Sequence, residues 1–369
     1  MSQRVKDILV DDFWIMPATP EYKDDGIPYI TSKNIKNGII DFTKVNYISQ
    51  EAYNSISRNR PILVGDILIS MIGTLGETAE VKESYGSFYG QNMFLVRINE
   101  NKVNKRYFLD FFKSSSVKRA LEGKQNQSTQ KYLKANHIED LTIPMLKLDE
   151  QKLIAEQLDK LSYIIKLRTD ELKKLDELIK ARFVEMFGDP VMNEKDWPTK
   201  PLLDMGQCKN GMNFHYDDEG VEINCLGVGD FKDFSVINNT DKLPKISLKE
   251  MPSEEYLLKD DDIVFVRSNG NKDLVGRSIA VYPGDIPTTF SGFCIRYRKH
   301  DNEITAPYLL RVLKADSMRV KMTGRGANIQ NLNQQILRTL VIPVPPIQLQ
   351  DQFADFVHQV DKSKFMKSF

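Results

Sequence analysis

This chain is written twice, and that limits its fold more than any other feature. Leu141-Thr142-Ile143-Pro144 precedes Gln151, Ile154, Ala155, Leu158 and Leu161. Leu340-Val341-Ile342-Pro343 precedes Gln350, Phe353, Ala354, Val357 and Val360, each pair 199 positions apart. The same offset joins Leu133 to Leu332 and Phe94 to Phe293. Tyr107, Leu109, Lys113, Ser116 and Gly123 match Tyr308, Leu310, Lys314, Ser317 and Gly324 at 201, and Asp66-Ile67-Leu68 matches Asp262-Ile263-Val264 at 196. The order is kept while the offset drifts between elements, as loop insertions require. A period this long is not that of a solenoid; it describes two copies of one domain-plus-helix unit.

Each copy predicts the same elements. A β-branched strand follows an acidic turn (66–70, 262–266), then comes a Gly-containing loop and a short strand (78–81, 278–282). A further strand (93–98, 293–298) leads to a short helix starting at Lys105 or Ala306. A polar loop then leads to a last strand ending at Pro144 or Pro343, where proline stops the sheet and a helix begins.

Between the copies, Asp149 to Phe187 contains no Gly or Pro and is closed by Gly188-Asp189-Pro190. Ile154, Leu158, Leu161, Ile165, Arg168, Leu172, Leu175, Ile179, Arg182 and Met186 follow at alternating steps of four and three, a coiled-coil seam with two arginine interruptions. At ~1.5 Å per residue such a helix reaches about 58 Å, too long to lie on one domain of this size. Phe353, Val357 and Val360 begin the same seam again, followed by Lys364 and Lys367. If the two helices pair, Leu172, Leu175, Ile179 and Met186 are expected to lack partners within the chain, so self-association through the long helix becomes a possibility to test.

Lysine plus arginine equals aspartate plus glutamate at 51 each. A stand-alone nucleic-acid binder usually carries a basic excess, so a DNA reader with this balance needs locally clustered charge or a partner that contacts phosphates. Cys208, Cys225 and Cys294 are odd in number and widely spaced, and read as reduced thiols of a cytoplasmic protein with no zinc-ligand spacing. No apolar run approaches the ~20 residues of a membrane span, and the start shows no secretory signal.

Two diverged domains, each followed by a related long helix, resemble the DNA-specificity subunits of type I restriction–modification enzymes. Gly26-Ile27-Pro28-Tyr29-Ile30-Thr31-Ser32-Lys33-Asn34-Ile35, Gly65-Asp66-Ile67-Leu68-Ile69-Ser70 and Ile72-Gly73-Thr74-Leu75-Gly76 look like signposts of that family's target-recognition domain. Ile342-Pro343-Val344-Pro345-Pro346 with Gln350 looks like the start of its spacer helix. The resemblance implies an α+β fold, with two similar target-recognition domains of mixed β structure and short helices, at 1–147 and 189–346. Spacer helices at 148–188 and 347–369 would join them as a coiled coil. It further implies that each domain reads half of a split double-stranded DNA target and that two modification subunits dock on the helices. Restriction subunits would join them; S-adenosylmethionine and ATP would sit on those partners, with no cofactor on this chain.

Base edges call for Arg, Lys, Asn, Gln, Ser or Thr on protruding loops. The richest loop holds Lys124, Gln125, Asn126, Gln127 and Lys131, and its counterpart holds Arg325, Asn328 and Gln330. Arg267, Asn269 and Lys272 follow a strand where the first copy has Thr74. Ser32, Lys33, Asn34, Lys209 and Asn213 complete the candidate set. The aromatic groups Phe108/Phe111/Phe112 and Phe183/Met186/Phe187 read as packing rather than base-stacking platforms.

Enzyme motifs are missing. Gly270 to Gly276 has one residue too many for a phosphate loop and Arg where Lys is required, and Gly227-Val228-Gly229 lacks the third glycine of a dinucleotide fingerprint. The Asn-Pro-Pro-aromatic tetrapeptide of amino-methyltransferases is not present. A self-contained DNA methyltransferase and a scaffold without recognition are the alternatives: the first predicts S-adenosylmethionine binding by the purified chain, the second unchanged methylated sites when residues 1–145 are exchanged.

Overall fold

The computed structural model describes residues 2–15, 20–123, 132–214, 220–231, 236–300, 302–323 and 331–366. The chain divides into two compact units, Met1–Leu167 and Arg168–Phe369. The division falls inside the long helix Leu148–Phe187, called the connector here, so its first half packs with one unit and its second half with the other.

The first unit is built on a four-stranded antiparallel sheet in the order Leu9–Ile15, Met93–Ile98, Ile67–Ser70, Thr78–Glu80. The central strands read as continuous apolar runs because both faces are covered. Ile67, Ile69, Phe94 and Val96 face the helix Lys105–Lys113, with Phe108 and Phe112. Leu68, Met93 and Leu95 face a smaller layer, where Ile27–Thr31 pairs antiparallel with Asn46–Ile48 and parallel with Tyr89–Gln91.

The second unit repeats this plan. Its sheet runs Gly206–Asn210, Cys294–Lys299, Asp262–Val266, Ser278–Val281, with Val236–Ile237 added at the edge. The smaller layer again pairs one strand, Val221–Leu226, antiparallel with Lys245–Leu248 and parallel with Thr288–Phe290. Strand pairing also corrects one repeat assignment. Phe94 opposes Ile69 and Ile295 opposes Phe265, so Phe94 corresponds to Ile295 at an offset of 201, not to Phe293. Phe293 lies before the strand and corresponds to Asn92.

Three polar fixtures recur in both copies. Asp66 takes both Nε and Nη2 of Arg97 at 2.8 and 2.9 Å, and Asp262 takes those of Arg298 at 2.7 Å each. Each aspartate also accepts a turn amide, from Leu63 or Lys259. Tyr107 and Tyr308 donate their hydroxyls to the carbonyls of Pro144 and Pro343.

The third fixture starts the helix that follows each domain. Gln151 is fully buried; its Oε1 accepts the Asn104 amide at 2.8 Å and its Nε2 donates to the Lys102 and Leu146 carbonyls at 3.2 and 2.9 Å. Gln350 does the same with the Thr305 amide (2.9 Å) and the Glu303 and Pro345 carbonyls (2.9 and 2.8 Å). One side chain thus satisfies three backbone groups that would otherwise be buried unpaired.

The helix Ile347–Met366, called the companion, runs antiparallel to the second half of the connector. Phe353 stacks edge-on to Phe183 and Phe187, with centroids 5.5 and 5.7 Å apart, while eleven residues on Lys364 reaches back to Asp176 at 2.7 Å. Both aromatic groups flagged as packing residues are core: Phe108 and Phe112 are buried in the first unit, Phe183 and Phe187 in the second. The expectation for the seam needs correcting. Ile179 and Val360 are buried, and Leu175, Met186 and Val357 pack against the same core as Phe353, so these positions find partners within the unit. Of the four residues expected to lack partners, Leu172 stays exposed, at 42%; the other exposed seam residues lie earlier, Leu158, Leu161 and Ile165 at 39–66%. Antiparallel pairing explains this, because the companion meets the connector from its far end.

Replacing Gln350 by alanine should destabilise the second unit by at least about 2 kcal/mol, since each buried group left unsatisfied costs about 1–3 kcal/mol. The chain has two tryptophans, Trp14 in the first unit and Trp197 in the second. Urea unfolding followed through Trp197 in a Trp14→Phe background should show the loss. The transition reported by Trp14 in a Trp197→Phe background should stay within about 0.5 kcal/mol.

Candidate nucleic-acid interface

In both units the loop after the central strand is tied to the residues that follow the amide-rich loop. The Leu133 amide donates to the Met71 carbonyl at 2.9 Å, and the Leu332 amide donates to the Arg267 carbonyl at 2.8 Å. Isolated bridges join Ile72 to Tyr132 and Ser268 to Asn331. The loop after the central strand is thereby fixed, in each domain, to residues from a distant part of the sequence. A glycine lets each loop turn onto a helix: Gly76 and Gly276 both have φ of +75°. A Cβ at Gly76 would stand 2.7 Å from Leu121, and one at Gly276 3.3 Å from Thr323.

Ser32 and Asn34 are not available to a ligand, which removes them from the candidate set. The Ser32 hydroxyl donates to the Asn92 carbonyl and accepts the Met71 amide at 3.3 Å. Asn34 accepts from Thr31 and donates to the carbonyls of Asp41 and Lys44 at 2.8 and 3.1 Å. Both side chains are buried and hold the loop in shape; Lys33 between them is exposed, as is Thr74. Short polar side chains attract attention as readers, but the same chemistry suits internal turn bonds.

In the second unit Arg267 is half-buried, with its amide on the Phe293 carbonyl (2.8 Å) and Nη1 on the Gly292 carbonyl (3.3 Å). A guanidinium has five donors, so most remain available in this geometry. Asn213 is exposed beside Gly292, where a Cβ would lie 2.1 Å from its Oδ1. Asn269 accepts the Asn271 amide at 2.7 Å in a local turn. Lys209 is paired with Glu255 at 2.7 Å and lies 4.6 Å from the Tyr256 ring; its ammonium is held above its ordinary pKa, first by the bond to Glu255. The Lys272 side chain lies outside the described residues, as do Lys124, Gln125, Asn126, Gln127, Lys131, Arg325, Asn328 and Gln330.

Phe293 is the residue that sequence reasoning missed. It is 61% exposed, and its carbonyl accepts the Arg267 amide. Pairing it with buried Phe94 had placed it in a strand; the aspartate–arginine spacings, 196 for Asp66/Asp262 and 201 for Arg97/Arg298, carried the signal that the register differs there. Arginine beside an exposed apolar group suits a base pair, since guanine offers two acceptors to a guanidinium and thymine offers a methyl.

Two copies of one α+β domain, each tethering the loop after its central strand and each feeding a helix through a buried glutamine, define a tandem-domain protein. The type I restriction modification DNA specificity domain matches residues 14–177 and 194–367, and the chain belongs to that family. It is 27% identical over 364 residues to the StySPI type I restriction enzyme specificity subunit of Salmonella potsdam, covering 92% of this chain and 76% of that one. It is 24% identical over 369 residues to the putative MjaX specificity subunit of Methanocaldococcus jannaschii, covering 91% and 80%. The fold is also that of the S subunit from M. genitalium (TM-score 0.53, 15% identity, 99% and 90% coverage). A chain from a structural study of type I R-M complex assembly superposes similarly (TM-score 0.56, 14% identity, 99% and 91%).

Arg267→Ala should leave stability within about 0.5 kcal/mol and weaken DNA binding by about 1–3 kcal/mol at its own base position. Asn34→Ala should do the opposite, lowering the melting temperature while the sequence read is unaltered. Thermal unfolding together with sequencing of methylated sites separates the two.

Proposed function

We propose that this chain is the DNA-reading subunit of a type I restriction–modification complex, recognising a bipartite target with one half-site per domain. The observation that carries this reading is the repeated tether, Leu133 to Met71 and Leu332 to Arg267, which holds the loop after the central strand at the same place in each domain. The two loops carry different side chains, Ile72 and Thr74 in one, Ser268 and Asn269 in the other, so the half-sites should differ. The loops from 124 and from 324 supply phosphate contacts in this reading.

The chain itself performs no chemistry in this reading. Methyl transfer from S-adenosylmethionine and ATP-driven cleavage belong to modification and restriction subunits, two modification subunits serving the two half-sites in the cytoplasm. Neutral net charge supports this division, because partners that surround the duplex can supply further phosphate contacts. The uncovered connector residues Leu158, Leu161 and Ile165 offer those partners an apolar stripe. Among the described residues no helix is long and apolar enough to cross a membrane.

Exchanging residues 1–147 for the matching domain of another family member should change one half of the methylated sequence and leave the other half intact, read by sequencing methylated sites of the reconstituted complex. Unchanged sites would make the chain a scaffold, and S-adenosylmethionine binding by the isolated chain would make it a methyltransferase. Lys124→Ala and Arg325→Ala should each reduce the slope of log affinity against log salt by about 0.9, the share of one phosphate contact. An unchanged slope would assign both side chains to solvent.

A further inference from the structure

The two copies differ sharply where the domain helix meets the helix that follows it. In the first unit, Arg106 meets Asp159 at 2.5 Å and Asp110 at 3.7 Å, and Lys113 meets Asp110 at 3.8 Å. At the repeat offsets these four positions become Pro307, His358, Arg311 and Lys314. Both carboxylates are gone, and two cations three residues apart remain on one helix face. The corresponding space in the second unit is a cavity of about 570 Å³.

Arg311 and Lys314 form no ion pair or hydrogen bond among the described residues. The carboxylates near enough to act on them are already held, Asp176 by Lys364 at 2.7 Å and Asp316 by Lys180 at 2.8 Å. Apolar side chains, Ile179, Leu310 and Val357 among them, supply much of the remaining wall. A cavity of this size with apolar walls and a few convergent polar groups has the form of a small-molecule site. Unpaired cations kept in such a place cost stability, which an anion would return.

We propose that this cavity binds a small amphiphilic anion, its carboxylate or phosphate head on Arg311 and Lys314 and its apolar body along Ile179, Leu310 and Val357. Burial, reinforced by Arg311 with Arg277 and Lys364, pushes the Lys314 ammonium down to about 8, while Asp176 pulls the other way. Tyr282, just after the strand Ser278–Val281, and His358, Asp361 and Lys362 from the companion complete the charged or titratable lining. An anion on Lys314 favours its charged form, so binding near pH 8 takes up a proton. In the free protein the penalty of charging Lys314 is fully present below about pH 8 and fades as the pH rises toward the ordinary lysine value of 10.5.

Isothermal titration of the full chain with decanoate, decyl phosphate and decanol tests this. At least one of the two anions should bind one per chain at least tenfold tighter than decanol, and Lys314→Met should weaken it at least tenfold. The stronger of the two names the head group. Decanoate titrated at pH 8 in two buffers of different ionisation enthalpy should show proton uptake that vanishes in Lys314→Met. That variant should itself melt higher than the parent at pH 7, with the gain shrinking above pH 8. Decanol binding as well as both anions, binding indifferent to Lys314→Met, or a variant that melts lower than the parent would each overturn the proposal.

Discussion

Each copy depends on one buried glutamine. The chain must pass from a sheet through a proline into a long helix, and that junction leaves backbone groups of two loops facing a dry interior. Gln151 and Gln350 resolve it with an amide that is acceptor and donor at once: one oxygen on the amide before the domain helix, one nitrogen on the carbonyls of both loops. No other side chain of similar length offers that combination uncharged. The helix therefore leaves each domain in a defined direction, and the tyrosine hydroxyls on Pro144 and Pro343 fix the strand that precedes it. The proposed reading of a split target calls for such a junction, since looseness at the root of a long helix is amplified along its length.

Much of this fold was legible in the sequence because duplication makes two weak signals into one strong one. The helices beginning at Lys105 and Ala306, the strand Asp262–Val266 and the connector's end at Phe187 appear where the pattern put them. The structural use of Gln151 and Gln350 was not legible: their matched positions were plain, but a glutamine's partners are backbone groups that no spacing names. Phe293 was misread for a related reason. An offset of 199 is right for the last strand and wrong for the strand before it, and a chance Phe–Phe match hid the change.

The candidate site was legible as loops and illegible as atoms. Arg267 is half-buried and Thr74 exposed in the loops after the central strands, whereas Ser32 and Asn34 are spent on turns. Side chains short enough to reach a base are also short enough to bond their own backbone, and composition cannot separate the two uses. Burial does, because a polar group with every bond made inside has nothing left to offer a duplex.

The connector shows what heptad spacing can and cannot say. Alternating steps of four and three name the residues that seek cover, and Leu175, Ile179 and Met186 obtain it from the same core as Phe353, Val357 and Val360. The spacing carries no direction, so a parallel and an antiparallel companion fit it equally well. Antiparallel pairing places the ion pair of Lys364 with Asp176 in the connector's second half and leaves Leu158, Leu161 and Ile165, in its first half, exposed. Fully burying a leucine or isoleucine is worth about 1.5–3 kcal/mol. Covering this stripe would thus contribute several kcal/mol to whatever docks there.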